Sequence, residues 1–546
     1  MDAMLVDIFN RKKIIYLLAL LSLIYSFIGF RFVLFYTLFV HDEGIITYGA
    51  TRVLSGGIPY KDFWIHYGPG QFYVIAGLFK LFGSYILVER IYLTIINSLV
   101  SLVVYLIAQR LILSWLALIP WFLMLLWLNT FGFGVMSPAL LFSLLSTLFI
   151  LYFLAGKQKK YLFLGGLMAG ISLLFRHDIG LATTIVEGTV VCLFVFFSLL
   201  PKKMPLLQKL IPILKFGAYY LFGWGIILLP VAIYLIRVVS PTDLINDLVI
   251  YPLTIYPKVF LQRYPVILPN PAYIFSGVLT IIDYFNQVLL RIAYYFPLIM
   301  YISAIVIIVF ELRKGINILP VKIWGFVLFT LLGIMFLVQG LIRAHIDFLR
   351  PAFIPAFLLL SFLMDNLTFF SKRNFVRSIL IFFILAMALI PFSEKVKKIT
   401  KNFSCPFYFE IERTKGIYSD DGAAVKNYQD LVKYIQKNVP ENERIFVGNS
   451  RHDKIVCNDI MLYYLSNRQS ATKYYTFVSG LTDTKRVQEA IVSDIEKYRL
   501  RYIILLEVDK FCQASESSGI FLLDDFIRKN FAPVQKFESY TVWERK

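Results

Sequence analysis

Residues 41–70 read HDEGIITYGATRVLSGGIPYKDFWIHYGPG. They follow a long apolar run, 14–40, and lead into an amphipathic stretch, QFYVIAGLFKLFG, at 71–83. Asp42 and Glu43 stand where the first apolar helix should leave a bilayer, with aromatics, glycines and histidines close behind. A loop that merely joined two helices would not need this chemistry. The stretch therefore reads as a functional outer loop, and the rest of the chain decides whether a membrane is there.

Composition says that it is. The 546 residues are 58% hydrophobic and only 16% charged, with a mean hydropathy of +0.70. Soluble domains carry about 25% charged residues. Several apolar runs approach the roughly 20 residues that a helix needs to cross a hydrocarbon core of about 30 Å. Arg11-Lys12-Lys13 before the first run resembles a signal-peptide start, but the run is too long and lacks a small-residue cleavage site. It is expected to stay as the first transmembrane helix.

The formal charge of +19 is distributed unlike that of a nucleic-acid-binding protein. Residues 1–392 hold 29 Lys/Arg against 14 Asp/Glu, whereas 393–546 hold 25 against 21. The excess lies in short clusters between apolar runs, the positive-inside pattern. Read this way, about eleven transmembrane helices fall at 14–40, 85–108, 111–130, 138–155, 161–175, 179–200, 210–238, 290–310, 321–341, 351–369 and 378–392. The expected fold class is a polytopic α-helical membrane protein of the plasma membrane, with a cytoplasmic N-terminus.

Two domains are expected. Residues 1–392 form the transmembrane part, with 41–84 as its first outer loop and 70–83 as an interfacial helix. Residues 393–546 have the composition of a soluble domain, extracytoplasmic by helix count. RIFVG (444–448) and RYIILL (501–506) read as buried strands, and 424–437, 484–499 and 520–530 as amphipathic helices. Alternation of the two predicts a small α/β domain with a partly parallel sheet. Its three cysteines, Cys405, Cys457 and Cys512, form no CxxC, which argues against zinc; one disulfide among them would leave one thiol.

Ionisable groups near membrane depth are costly and mark function by default. Three outer-face groups stand out: Asp42-Glu43 with Lys61, Asp62 and His66; Arg176, His177 and Asp178; and Arg343, His345 and Asp347. Plainer readings exist for each, since 176–178 fits a polar turn and 343–347 an interfacial cap. Glu89-Arg90 reads as an internal ion pair, and Glu187 as a hydrogen-bonded packing residue. The Gly-Gly and GPG elements read as turn chemistry.

A shielded carboxylate beside cations can take a proton from a hydroxyl nucleophile. Arginines can bind a phosphate bidentately and stabilise charge on a departing phosphate oxygen. A reaction that needs both is glycosyl transfer from a lipid-linked phospho-sugar. A phosphate leaving group removes the need for a second carboxylate as acid, unlike glycoside hydrolysis. The competing class is a lipid-linked oligosaccharide flippase or other transporter, which would want polar groups through the depth of the bundle. A membrane receptor is the third option, and leaves the loop chemistry unexplained.

The Asp-Glu after the first helix, LSGGIPYKDFWIHYGPGQFYVIAGLFKLFG (54–83) and a following helix with Arg90 resemble the membrane-embedded GT-C glycosyltransferases. The similar branch is that of protein O-mannosyltransferases and the lipid A aminoarabinose transferase. GISLLFRHDIGL (170–181) is similar to the segment with a basic residue near the lipid phosphate, and RAHIDFLRPAFIPA (343–356) to a later outer-face motif. NERIFVGNSRHDKIVCNDIMLYYLSNRQSATKYY (442–475) resembles the extracytoplasmic domain of some members. The chain departs at FRHDIG (175–180), where related enzymes often show a lysine-glycine pair.

The resemblance implies a GT-C-like fold, an inverting hexosyl or pentosyl transferase and a polyprenyl-phosphate sugar donor. It implies Asp42 as general base and Glu43 as its acceptor-orienting partner. Arg176, Arg343 and Lys61 are the candidates for the donor phosphate. Asp62, His66, Tyr67, Asp178, His345 and Asp347 are the candidates for sugar or acceptor contacts. The partners expected are the donor lipid, a glycan, lipid or protein acceptor, and the bilayer, but no nucleic acid. No cofactor is required by the sequence; a divalent ion near Asp42 and Glu43 has no compact carboxylate cluster to support it.

Overall fold

The computed structural model describes residues 2–31, 34–112, 115–128, 134–200, 205–259, 261–270, 280–313, 321–366, 373–402, 406–455, 457–507 and 516–546. Cys405 and Cys512, two of the three cysteines of the C-terminal residues, lie outside them; Cys192 is a thiol. The chain packs as two compact units. One comprises Met1–Phe30, Leu93–Ile233 and Phe260–Ile399; the other Arg31–Tyr92, Tyr234–Val259 and Thr400–Lys546. The first outer loop thus packs in one unit with the C-terminal residues.

The first unit is helical. Among the described residues, eight helices of the chain are long and apolar enough to cross a membrane, from Ile86–Leu111 to Arg373–Val396. The other three expected spans are described as shorter pieces: apolar Lys13–Phe27 and Trp115–Leu128, and the 17-residue helix Lys159–Phe175. Lys159–Phe175 meets Leu206–Val238 at backbone distance. A Cβ on Gly166 would lie 1.9 Å from the Tyr220 carbonyl oxygen, and one on Gly223 would lie 2.1 Å from that of Phe163. Small residues at helix crossings are how helices associate where lipid removes the hydrophobic drive. Glu187 is buried here, accepting from Ser146, Thr147 and Tyr220 at 2.5, 2.9 and 2.9 Å. Three hydroxyl donors give it the packing role read from the sequence.

The second unit is built on a five-stranded sheet of order β4-β3-β5-β7-β6. The strands are β3 (Arg444–Asn449), β4 (Gln469–Ser470), β5 (Tyr502–Leu506), β6 (Phe531–Phe537) and β7 (Tyr540–Arg545). β3 pairs in parallel with β4 and β5, while β5–β7 and β7–β6 are antiparallel. A separate ribbon joins β1 (Phe407–Tyr408) to β2 (Tyr418–Ser419). β3 and β5 are the two strands read as apolar runs, and both are almost wholly buried. Helices Gly422–Asn438, Lys485–Lys497 and Leu522–Asn530 fall where amphipathic periodicity predicts them. Trp64 and Tyr251 join the core of this sheet.

The first helix differs from expectation. Instead of running to residue 40 it ends at Arg31, and 34–41 is non-helical. The reason is tertiary. Thr37 N donates to the Tyr418 carbonyl at 2.6 Å, Tyr418 N to that of Phe35 at 2.7 Å, and Met461 N to that of Val40 at 3.0 Å. Backbone groups satisfied by partners from the C-terminal residues do not need a helix. Asp42 consequently opens a separate helix, Asp42–Leu54, where a loop was expected. The helix Gly70–Phe82 follows as predicted and stops at Gly83, whose φ of +87° is a backbone conformation that glycine adopts without strain.

Candidate functional site

In the second unit, Asp42 and Glu43 occupy the first turn of Asp42–Leu54, where the helix dipole favours negative charge. They face opposite environments. Asp42 is exposed, whereas Glu43 is buried. Arg90 grips Glu43 with Nε on Oε1 at 2.5 Å and Nη2 on Oε2 at 2.8 Å. The same guanidinium donates to the carbonyls of Leu34 and, at 2.8 Å, Thr37. Arg90 therefore finds its carboxylate at Glu43, while Glu89, beside it in sequence and also buried, keeps an Oε2 with no hydrogen-bond partner among the described residues.

Adjacent carboxylates with different surroundings have different uses. Glu43 and Arg90 clamp the turn 34–43, and Asp42 is the carboxylate left facing outward. The C-terminal residues fasten the same turn. Val40 accepts from Ile460 N and Met461 N at 3.1 and 3.0 Å, and the His41 ring lies 3.0 Å from the Asn458 carbonyl. Gly44 lets the helix sit on that backbone, since a Cβ there would lie 2.8 Å from Met461 N. Met461 and Leu462 begin a short helix, Met461–Ser466, whose Leu462 N donates to Asp459 at 3.1 Å. Asp459 is fully buried and also accepts from Tyr428 and Tyr540. Burial pushes its carboxyl up to about 7 against those hydrogen bonds.

Further along the loop, Asp62 is used locally. Its Oδ2 accepts from Ile58 N at 2.7 Å and its carbonyl from Arg52 Nη2 at 2.8 Å. Lys61 beside it is exposed. His66 lies against Trp64 and Tyr67, ring centres 5.3 and 4.0 Å away, and Tyr67 supplies its carbonyl to the Tyr60 hydroxyl. Trp64 donates through Nε1 to Asp247 at 3.0 Å. Asp247 is buried and its Oδ2 is unpartnered among the described residues. Burial raises its carboxyl to about 7, opposed chiefly by Lys473.

In the first unit, Arg176 and Asp178 form a two-point pair, 3.0 and 2.7 Å, across the start of helix His177–Phe194. His345 caps helix Ile346–Asp365 by accepting from Asp347 N at 3.4 Å. Asp347 is bonded to Arg350 one turn on, and Arg343 lies over the Phe348 ring at 4.5 Å. Arg350 was not among the sequence candidates. It is buried, with an Nε unpartnered among the described residues, and its i, i+3 spacing from Asp347 was the available signal. Among the described residues no group of three or more His, Cys, Asp or Glu is placed to hold a metal ion.

No family model matches the chain, and no curated protein matches it. Solved structures do. The crystal structure of ArnT from Cupriavidus metallidurans bound to undecaprenyl phosphate covers 97% of this chain and 97% of its own, with a TM-score of 0.52 at 10% identity. The same protein in the apo state covers 98% of both at a TM-score of 0.51 and 11% identity. The Archaeoglobus fulgidus oligosaccharyltransferase tethered to an acceptor peptide covers 94% of this chain and 72% of its own, at 12% identity and a TM-score of 0.48. Over nearly its whole length, the chain has the fold of ArnT.

Proposed function

We propose that this protein is a membrane glycosyltransferase that moves a hexosyl or pentosyl group from a polyprenyl-phosphate donor to an acceptor hydroxyl, at the extracytoplasmic face and with inversion. A fold shared end to end with a protein crystallised on undecaprenyl phosphate supports the donor class. The observation that carries the mechanism is the division of labour between Asp42, exposed, and Glu43, buried on Arg90.

In this reading Asp42 is the general base. It takes the proton from the acceptor hydroxyl as that oxygen attacks the anomeric carbon, and the polyprenyl phosphate departs with the electrons of the glycosidic bond. Glu43 positions Asp42 rather than touching the acceptor. Arg176 and Arg343 are assigned to the departing phosphate, for which a guanidinium is well shaped. Asp178 and Asp347 orient guanidinium groups; His345, as a cap, and His66 and Tyr67, as ring neighbours, are weaker contacts for substrate. The N-terminus is assigned to the cytoplasm and the C-terminal α/β residues to the outside.

The test is transfer from polyprenyl-phosphate sugars by purified protein in detergent or nanodiscs. Wild type should release polyprenyl phosphate with a glycosylated product, and Asp42→Asn should lose roughly 10²–10⁴-fold in kcat, the contribution of a positioned base. Normal turnover in a folded Asp42→Asn protein would overturn the assignment. Substrate movement without release would point to transport.

A further inference from the structure

The second unit holds a cleft of about 470 Å³ between the end of helix Asp42–Leu54 with its following loop and the edge of the sheet at β3 and β4. Its size falls within the roughly 300–1,000 Å³ of small-molecule sites. Four cations line it, Arg52, Lys61, Arg444 and Lys473, against the carboxylates of Asp62 and Asp494. We propose that this cleft binds an anionic sugar of the acceptor, a glycan unit carrying a carboxylate or phosphate. The proposal rests on the transferase reading and names its acceptor class.

Three of the four cations are held in place by other groups. Arg52 is anchored on the Asp62 carbonyl at 2.8 Å. Arg444 donates to the Ser470 carbonyl at 2.7 Å and lies 4.4 Å over the Tyr498 ring. Lys473 pairs with Asp243 at 3.2 Å, so its charge is partly compensated. Lys61 projects from the loop and is exposed. Anchored guanidinium groups lose little freedom when an anion arrives, which is what gives such a site selectivity.

The rest of the lining argues for a sugar rather than a bare anion or a lipid. An anion alone needs only donors, yet Asp494, Gln469 and Thr472 add acceptors and hydroxyl partners, which suit sugar hydroxyls. Ala471 is the one aliphatic side chain of the lining among the described residues, so there is no bed for an acyl chain. At Gly56 a Cβ would meet nothing within 4 Å, which leaves the backbone at the rim open to a ring.

Titration calorimetry on the full-length protein in nanodiscs tests this with trigalacturonate, maltotriose and inorganic phosphate. Trigalacturonate should bind at least ten-fold more tightly than maltotriose and than phosphate. Lys61→Gln and Arg444→Gln should each weaken it roughly ten-fold, as loss of one charge-assisted hydrogen bond implies, while Lys485→Gln, at an exposed position outside the lining, should not. Equal affinity for the neutral trimer, equal affinity for phosphate alone, or binding indifferent to Lys61 and Arg444 would each overturn the proposal. Binding needs no turnover, so a failed transfer assay with intact trigalacturonate binding would count against the transferase reading and not against the cleft.

Discussion

Arg90 closes on Glu43 through two charge-assisted hydrogen bonds, 2.5 and 2.8 Å long, with neither side chain reaching solvent. A buried pair of this kind fixes geometry more than it adds stability, because desolvation offsets most of the attraction. What it fixes here is the turn that presents Asp42. The exposed acid and the buried pair therefore give opposite expectations. Asp42→Asn, at an exposed site, should change stability by no more than about 0.5 kcal/mol while lowering transfer roughly 10²–10⁴-fold. Arg90→Ala strands a buried carboxylate and should cost about 3–5 kcal/mol. Thermal denaturation beside a transfer assay separates them, and the double variant Glu43→Leu/Arg90→Met should be less damaged than Arg90→Ala.

A second prediction concerns the support beneath the same turn. Asp459 accepts from Tyr540 at 2.8 Å, from Tyr428 at 3.2 Å and from Leu462 N at 3.1 Å, next to Met461, which donates to Val40. Tyr540→Phe leaves a buried acceptor short of a donor and should destabilise the unit by about 1–3 kcal/mol. Hydrogen exchange should rise at the Ile460 and Met461 amides as well as at β7. Exchange confined to β7 would mean that the support does not reach the turn.

Asp247 predicts a pH signature. Burial raises its carboxyl to about 7 in the fold, against about 3.9 in an unfolded chain. Between those values the unfolded chain gives up a proton that the folded chain keeps, so this group's contribution falls as pH rises from about 4 to 7 and is level above. The sign is that of a raised acid: stability present at low pH is lost towards neutrality. Asp247→Asn keeps an oxygen to accept from Trp64 and removes the titration. Its melting temperature relative to wild type should climb from pH 4 to 7 and then stay constant; a difference flat across that range would refute the assignment.

Part of this was legible in the sequence. Apolar runs located the long helices, and the buried strands β3 and β5 announced themselves as unbroken apolar runs, because burial on both faces removes alternation. The β6–β7 hairpin did not, since most of β6 is exposed and its pattern is mixed. Asp42 was visible by its position after an apolar run. Its helix was not, because Gly44 and Gly49 lower helix propensity and what holds it lies some 400 residues on, at Ile460 and Met461. Arg52, Arg444 and Lys473 were overlooked for the same reason: no local pattern brings residues of the first loop beside residues of the distant sheet. The pairing of Glu43 with Arg90 across 47 positions is equally nonlocal.

That nonlocality gives the last prediction, a contrast between two helical glycines. At Gly44 a Cβ would lie 2.8 Å from Met461 N, 3.0 Å from Ile460 Cβ and 3.1 Å from Ile460 C. Two of those atoms are backbone, so Gly44→Ala must push helix Asp42–Leu54 off the residues that hold it. At Gly77, in helix Gly70–Phe82, a Cβ would meet nothing within 4 Å. Gly77→Ala should therefore stabilise the protein by up to about 1 kcal/mol, the helix propensity difference with no strain against it. Gly44→Ala should lower the melting temperature and reduce transfer even though no side chain of the site has changed. If Gly44→Ala lost stability but kept full kcat, the contact would be holding the fold without holding Asp42 in register.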